Sequence, residues 1–379
     1  MPQTSFRLRA LAIAVAVAVV ALGVAVVPRG PALSTDVAGD PDLVQASRPM
    51  LESAGALRTA SVVVVDGDSV STAHFGAADD TVYEIGSVSK TFTAALFADA
   101  IERGDVSADD EVGEYLDLEG APIAEVSLAE LAQHTSGLPS VPGGFGAILA
   151  NYRSVAFGTD PYGYDFDELL DHARSESLGG RGDYSYSNMG ISLLGHAVAV
   201  ASTPGLATTD YPDAYAMLLQ ARILGPLGMT QTTVPQRADD LPADAPTGLT
   251  AGGRHSDAWT LGSYAPSGSI RSTPRDMAIW ASALLDGSAP GSAALDPSST
   301  VDDALEVGYA WHVSTEPGAA AEPDLVVTWH NGRTGGFASM LALDREAGRA
   351  AFVVVDSATN VDAAGVDLLD AELVGEAAS

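Results

Sequence analysis

The chain contains no cysteine and a single lysine among its 379 residues. Without thiols it has no disulfide framework, no cysteine nucleophile, no thiolate-bound metal and no lipidated-cysteine anchor. Positive charge is scarce as well: 50 acidic residues stand against 18 basic ones, for a formal net charge of −32. Such a surface argues against partners that need a basic patch, nucleic acid and anionic lipid among them. A hydrophobic content of 46% still provides for a sizeable core. The length suits one large composite domain as well as two ordinary ones.

The one lysine, Lys90, lies in Glu84-Ile-Gly-Ser-Val-Ser-Lys-Thr-Phe92, three residues after Ser87. The other 17 of the 18 basic residues are arginine, which stays protonated, whereas lysine loses its proton when buried. A site that needs a base can use Lys90 and cannot use arginine.

Arg7 and Arg9 precede an uninterrupted apolar run at residues 11–27, closed by Pro28 and Arg29. Basic residues ahead of such a run place the N-terminus inside and the body outside. Its 17 residues fit both a cleaved signal peptide and a single-span anchor. The expected organisation is a leader or anchor with the start of a linker at 1–32, a linker at 33–40, one hydrolase domain at 41–365, and a C-terminal helix and tail at 366–379. The expected location is extracytoplasmic, with membrane contact only through the N-terminal segment.

Ser61–Val65 and Ser69–Phe75 flank an Asp-Gly-Asp turn and read as a hairpin. Near the C-terminus, Ala338–Leu343 and Ala350–Val355 flank a second turn at 344–348. Between these pairs the pattern is helical over Thr91–Arg103, Leu128–His134, Asp167–Ser175, Gly190–Ala201, Tyr215–Ile223 and Pro274–Leu285. The expected class is α+β: an antiparallel sheet built from both chain ends, flanked by helices, with a mostly helical middle region. Two Gly/Pro-rich connections, 137–164 and 236–269, are long enough to be functional loops.

Three clusters carry chemistry. If Ser87 opens the first of those helices, Lys90 is its i+3 neighbour on one face. A desolvated lysine can take the proton that keeps a serine hydroxyl unreactive, and a helix N-terminus can stabilise the oxyanion that follows. In Tyr184-Ser-Tyr-Ser-Asn-Met-Gly190, Tyr186 and Asn188 share one side of an extended chain. The phenol could relay a proton, and the amide could bond a substrate carbonyl and the Lys90 head together. In Trp329-His-Asn-Gly-Arg-Thr-Gly-Gly-Phe337, strand alternation puts His330 and Gly332 on one face. His330 could hold a substrate carboxylate, with Gly332 leaving room for a substrate backbone. The remaining histidines considered, His134, His172, His196, His255 and His312, read as structural or exposed. No Gly-x-Ser-x-Gly elbow, His-Glu-x-x-His helix or phosphate-cradling glycine loop occurs. Neither metal nor cofactor is expected.

In this order, Ser87-x-x-Lys90, Tyr186-Ser-Asn188 and His330-x-Gly332 resemble the motifs of the serine hydrolases grouped with class C β-lactamases and D-alanyl-D-alanine carboxypeptidases, the penicillin-binding protein-like family. Gln133–Pro139, Gly225–Met229, Pro266–Met277 and Gly308–Trp311 resemble that family's intervening landmarks, so the likeness runs from about residue 41 to 360. The resemblance implies Ser87 as the acylated nucleophile, Lys90 as its base and Tyr186 as proton relay. It implies Asn188, His330 and Gly332 as substrate-binding positions, and the backbone N–H groups of Ser87 and Arg333 as the oxyanion hole. Most β-lactamases of the group resemble Lys-Thr-Gly where this chain has His330-Asn331-Gly332. Histidine there is similar to secreted D-alanyl-D-alanine carboxypeptidases and to esterases of the family, and Arg333 could restore a positive charge for substrate binding. The implied activity is acyl transfer on a small molecule or peptide by a monomer. A peptidoglycan stem peptide comes first as substrate, then an ester, then a β-lactam. The reading from another class is a non-catalytic cell-envelope binding module.

Overall fold

A computed structural model describes residues 31–369 apart from 119, 142–148, 151, 155–156 and 317–323. The expected leader, except for residues 31 and 32, lies outside the described residues, as does the tail beyond 369. The strands in chain order are β1 (Val37–Gly39), β2 (Ala60–Asp66), β3 (Ser69–Phe75), β4 (Tyr83–Glu84), β5 (Arg271–Ser272), β6 (Ser299–Thr300), β7 (Leu305–Val307), β8 (His312–Glu316), β9 (Leu325–Arg333), β10 (Ala338–Asp344) and β11 (Arg349–Val355). Nine of them form one antiparallel sheet in the order β1-β3-β2-β11-β10-β9-β8-β7-β6, and β4 pairs with β5 apart from it. Both chain ends therefore meet in one sheet, as expected, with β2 beside β11.

The main helices are α1 (Pro41–Ala54), α2 (Ser89–Arg103), α3 (Leu128–Ala132), α4 (Phe166–Ser175), α5 (Asn188–Ala201), α6 (Tyr211–Leu219), α7 (Pro274–Leu285) and α8 (Asp362–Asp367). Alternate residues of the central strands go to different layers. Val62, Val64, Met340 and Val353 pack with Leu43 and Leu51 of α1 and with Leu368 after α8. Val63, Val65, Leu341 and Phe352 pack with α2, α5 and α7 through Phe92, Leu194 and Trp280. Because these strands are covered on both faces, they read as continuous apolar runs.

Several elements depart from the sequence expectation. The 33–40 stretch is not a free linker: Val37–Gly39 pairs with β3, and Asp40 caps α1 by accepting from the N–H groups of Asp42 and Leu43. The 128–134 helix ends at Ala132, because His134 turns left-handed at φ 60°. Ser87 does not open α2 but sits in a 3-10 turn, Gly86–Val88, that runs directly into it.

Candidate active site

The Gly86–Val88 turn is held against the end of β9 by two close backbone approaches. Gly86 adopts φ 52°, and a Cβ on it would lie 2.5 Å from the backbone nitrogen of Arg333. A Cβ on Gly332 would lie 2.0 Å from the carbonyl oxygen of Ile85. Ser339 Oγ, on the neighbouring strand β10, donates to that same Ile85 carbonyl at 2.8 Å. Gly332 therefore docks the serine turn onto the sheet and does not leave a lane for substrate backbone, as the sequence had suggested. The docking brings the Arg333 backbone nitrogen beside the turn that carries Ser87.

Ser87 is partly accessible, whereas Lys90 is completely buried. Lys90 Nζ lies 2.9 Å from Ser87 Oγ and donates to the Ser267 carbonyl at 2.6 Å. Burial with no carboxylate beside it holds the Lys90 pKa well below its ordinary value. Burial thus favours the uncharged amine: an N–H serves Ser267, and on losing its proton the nitrogen has a lone pair to accept the Ser87 hydroxyl proton. Lys90 also sits 4.9 Å from the centre of the Tyr186 ring. Tyr186 hydrogen-bonds Ser87, yet desolvation outweighs that bond and raises its pKa, so it stays a protonated phenol. A hydroxyl, an amine whose charged form burial disfavours and a phenol thus share one cluster that can move a proton off Ser87 and give one to a departing group.

Tyr186 is walled by three histidines, of which sequence reasoning singled out His330 and set aside His134 and His312. His134 lies 4.6 Å from its ring centre, His330 6.1 Å and His312 6.5 Å. The left-handed backbone of His134 carries the ring under Tyr186, where its Nδ1 accepts the Ser187 N–H at 3.1 Å. His312 stacks on Trp329 at 4.5 Å and shares a 2.8 Å hydrogen bond between Nε2 and the Tyr184 hydroxyl. Burial drives His312 down to about 4 and holds His134 and His330 well below the ordinary histidine value. All three are neutral near pH 7. Each stands within or beside a landmark run, which was the only sequence signal available for His134 and His312.

The substrate-binding candidates sit differently from the sequence expectation. His330 is fully buried and donates from Nδ1 to the Asn331 carbonyl at 2.6 Å, so it brings no positive charge to a carboxylate. Asn331 turns to the opposite face and donates to Asp362 of α8 at 3.0 Å. Arg333 follows Asn331 on that face by the pleat, and its exposed guanidinium has no partner among the described residues. Asn188 stands at the first position of α5, capped by Ser187, and not in extended chain. It forms no bond to Lys90; the Ser267 carbonyl takes that place. Among the described residues no cluster of ligating side chains could hold a metal ion.

A buried ion pair frames the site from behind. Arg271 of β5 and Glu84 of β4 meet at 2.5 Å, and Glu84 also accepts the N–H of Trp259 at 2.9 Å. This pair ties the 236–269 connection to the strand that leads into the Ser87 turn.

Comparison with known proteins agrees with this architecture. A family model described as Beta-lactamase matches residues 44–375. Penicillin-binding protein 4* of Bacillus subtilis (strain 168) is 30% identical over 162 residues, covering 42% of this chain and 32% of that protein. A beta-lactamase of Providencia stuartii is 38% identical over 124 residues, covering 32% of this chain and 28% of that protein. The chain thus spans only about a third of the length of these curated relatives. The crystal structure of a class C beta-lactamase from Rhodobacter sphaeroides superposes with a TM-score of 0.68 at 22% identity, covering 88% of this chain and all of that one. At that identity the likeness speaks for the fold.

Proposed function

Because this chain belongs to the beta-lactamase family of serine hydrolases, we propose that it works through an acyl-enzyme formed on Ser87. The observation that carries this is the 2.9 Å contact between Ser87 Oγ and Nζ of the fully buried Lys90. Oγ attacks the substrate carbonyl carbon as its proton passes to Lys90. The N–H groups of Ser87 and Arg333 receive the developing oxyanion. Tyr186 gives its proton to the leaving group and regains one from the Lys90 ammonium. Water then releases the acyl group by the reverse sequence of proton transfers.

The first substrate reading is a D-alanyl-D-alanine carboxypeptidase acting on cell-wall peptides outside the cytoplasm. The histidine in the third motif and the likeness to a penicillin-binding protein support it, and Arg7 and Arg9 ahead of the apolar run support the location. A second reading, a carboxylic ester hydrolase, is favoured by one observation: His330, in the third motif, is fully buried and neutral and so brings no positive charge to a substrate carboxylate. Intact-mass spectrometry after brief exposure to a penicillin, with Ser87→Ala as control, tests the acylation step. An adduct lost in the variant is expected. Neither an adduct nor turnover of penicillins or simple esters would overturn the acyl-enzyme reading.

A further inference from the structure

An asparagine side chain has two N–H protons to give, and in Asn188 both are already engaged. Nδ2 donates to the Tyr162 hydroxyl at 2.8 Å and to Ser140 Oγ at 3.1 Å. Both acceptors are placed independently of Asn188. Ser187 Oγ donates to the Pro139 carbonyl at 2.8 Å and so pins the backbone just before Ser140. The Tyr162 N–H donates to Asp160 Oδ1, while Asp160 Oδ2 accepts the N–H groups of Thr260 and Leu261. The Tyr162 ring is buried and packs 5.0 Å from Tyr264. Both ends of the 137–164 connection thereby converge on one amide, two residues from Tyr186.

We propose that Tyr162 and Ser140 latch the Asn188 amide and so select for acyl groups that carry no amide carbonyl of their own. This rests on the reading that Ser87 is acylated, and of the two substrate readings above it favours the ester, because the acyl group of a cell-wall peptide carries an amide carbonyl. A substrate carbonyl that reaches Nδ2 must displace one of the two hydroxyls, so it exchanges one hydrogen bond for another. If it displaces Tyr162, it also leaves a buried hydroxyl without its partner. A plain acyl chain leaves the latch closed and incurs neither loss. The discrimination resembles that of any site whose polar groups are left unpaired by the wrong substrate. Here the pairing is internal, and the amide-bearing substrate is the one that breaks it.

The test compares two p-nitrophenyl esters with a common leaving group, the butyrate and the N-acetylglycinate. Tyr162→Phe keeps the ring packing and frees one Nδ2 proton. It is expected to raise the ratio of kcat/KM for the acylamino ester to that for the butyrate about 10-fold, the equivalent of one hydrogen bond no longer lost in exchange. Ser140→Ala, at a partly exposed position, reads the same latch from the other side should the tyrosine variant not fold. An unchanged ratio overturns the latch. So does a falling ratio, which would mean that the amide oxygen, not Nδ2, faces the two hydroxyls. Cleavage of neither ester by the wild-type protein, without an adduct by mass, overturns the acylation reading itself and the latch with it.

Discussion

Gly86 and Arg333 approach so closely that the space a side-chain carbon on Gly86 would need lies 2.5 Å from the Arg333 backbone nitrogen. Gly332 makes the reciprocal approach to Ile85. The Ser87 turn and the end of β9 are thus one unit, and the spacing of the proposed oxyanion donors depends on two residues lacking Cβ.

Gly332→Ala should force β9 away from the turn. Misplacement by about 1 Å at a reacting centre lowers rate about 100-fold, so kcat should drop by about that factor while the protein still folds. Steady-state kinetics on an ester, with circular dichroism as the folding control, checks this. Wild-type kcat in the variant would show that the approach is not needed for geometry.

Lys90→Met should abolish the base and stabilise the fold. Loss of general-base assistance costs about 10²- to 10⁴-fold in acylation. The Lys90 pKa is depressed in the fold, so below the ordinary lysine range the unfolded chain binds a proton that the folded chain does not. Burying this amine therefore costs stability at neutral pH, a cost that fades as pH rises toward that range. Methionine removes it. Stopped-flow acylation and calorimetry should show slower chemistry with a higher Tm; a lower Tm would contradict the account of the buried amine.

Acid should destabilise the protein before its carboxylates titrate. His196 and His312 titrate at about 4 in the fold, and His134 and His330 well below their ordinary value. In the unfolded chain each titrates near about 6.5. Between these limits the unfolded state binds more protons, so their contribution is complete above about pH 6.5 and is lost as pH falls toward 4. Tm measured from pH 7.5 to 4.5 should decline, and His312→Phe should make the decline shallower. An identical slope in the variant would remove His312 from the explanation.

Glu84→Gln should leave Arg271 charged, buried and unpaired. Breaking such a pair costs about 3–5 kcal/mol, readable as a shift in the urea midpoint. The double variant Glu84→Gln/Arg271→Met should recover a large part of that loss. Equal destabilisation of the single and double variants would mean that the pair acts through packing alone.

Much of the fold was legible because its strands announce themselves chemically. Ser61–Val65 and Ala350–Val355 are apolar runs closed by turn residues, and sheets covered on both faces require such runs. α1 was missed; it carries Pro41 at its first position and Pro49 inside, and proline usually signals a break. The short β6, β7 and β8 have too few residues to show a period; pairing toward β9 defines them.

By itself the sequence determined which groups are present: one lysine, a serine three residues before it, Tyr186, and glycines where two backbones must touch. Local spacing makes Lys90 a neighbour of Ser87 because three residues span about one helical turn. Only the tertiary structure decided the state of those groups. Burial with no counter-charge depresses the Lys90 pKa, and low polarity around Tyr186 keeps the phenol protonated and its three histidine neighbours neutral. Likewise, which partners hold Asn188 was unreadable, since Ser140 and Tyr162 are 48 and 26 residues away along the chain and only packing brings them to one amide.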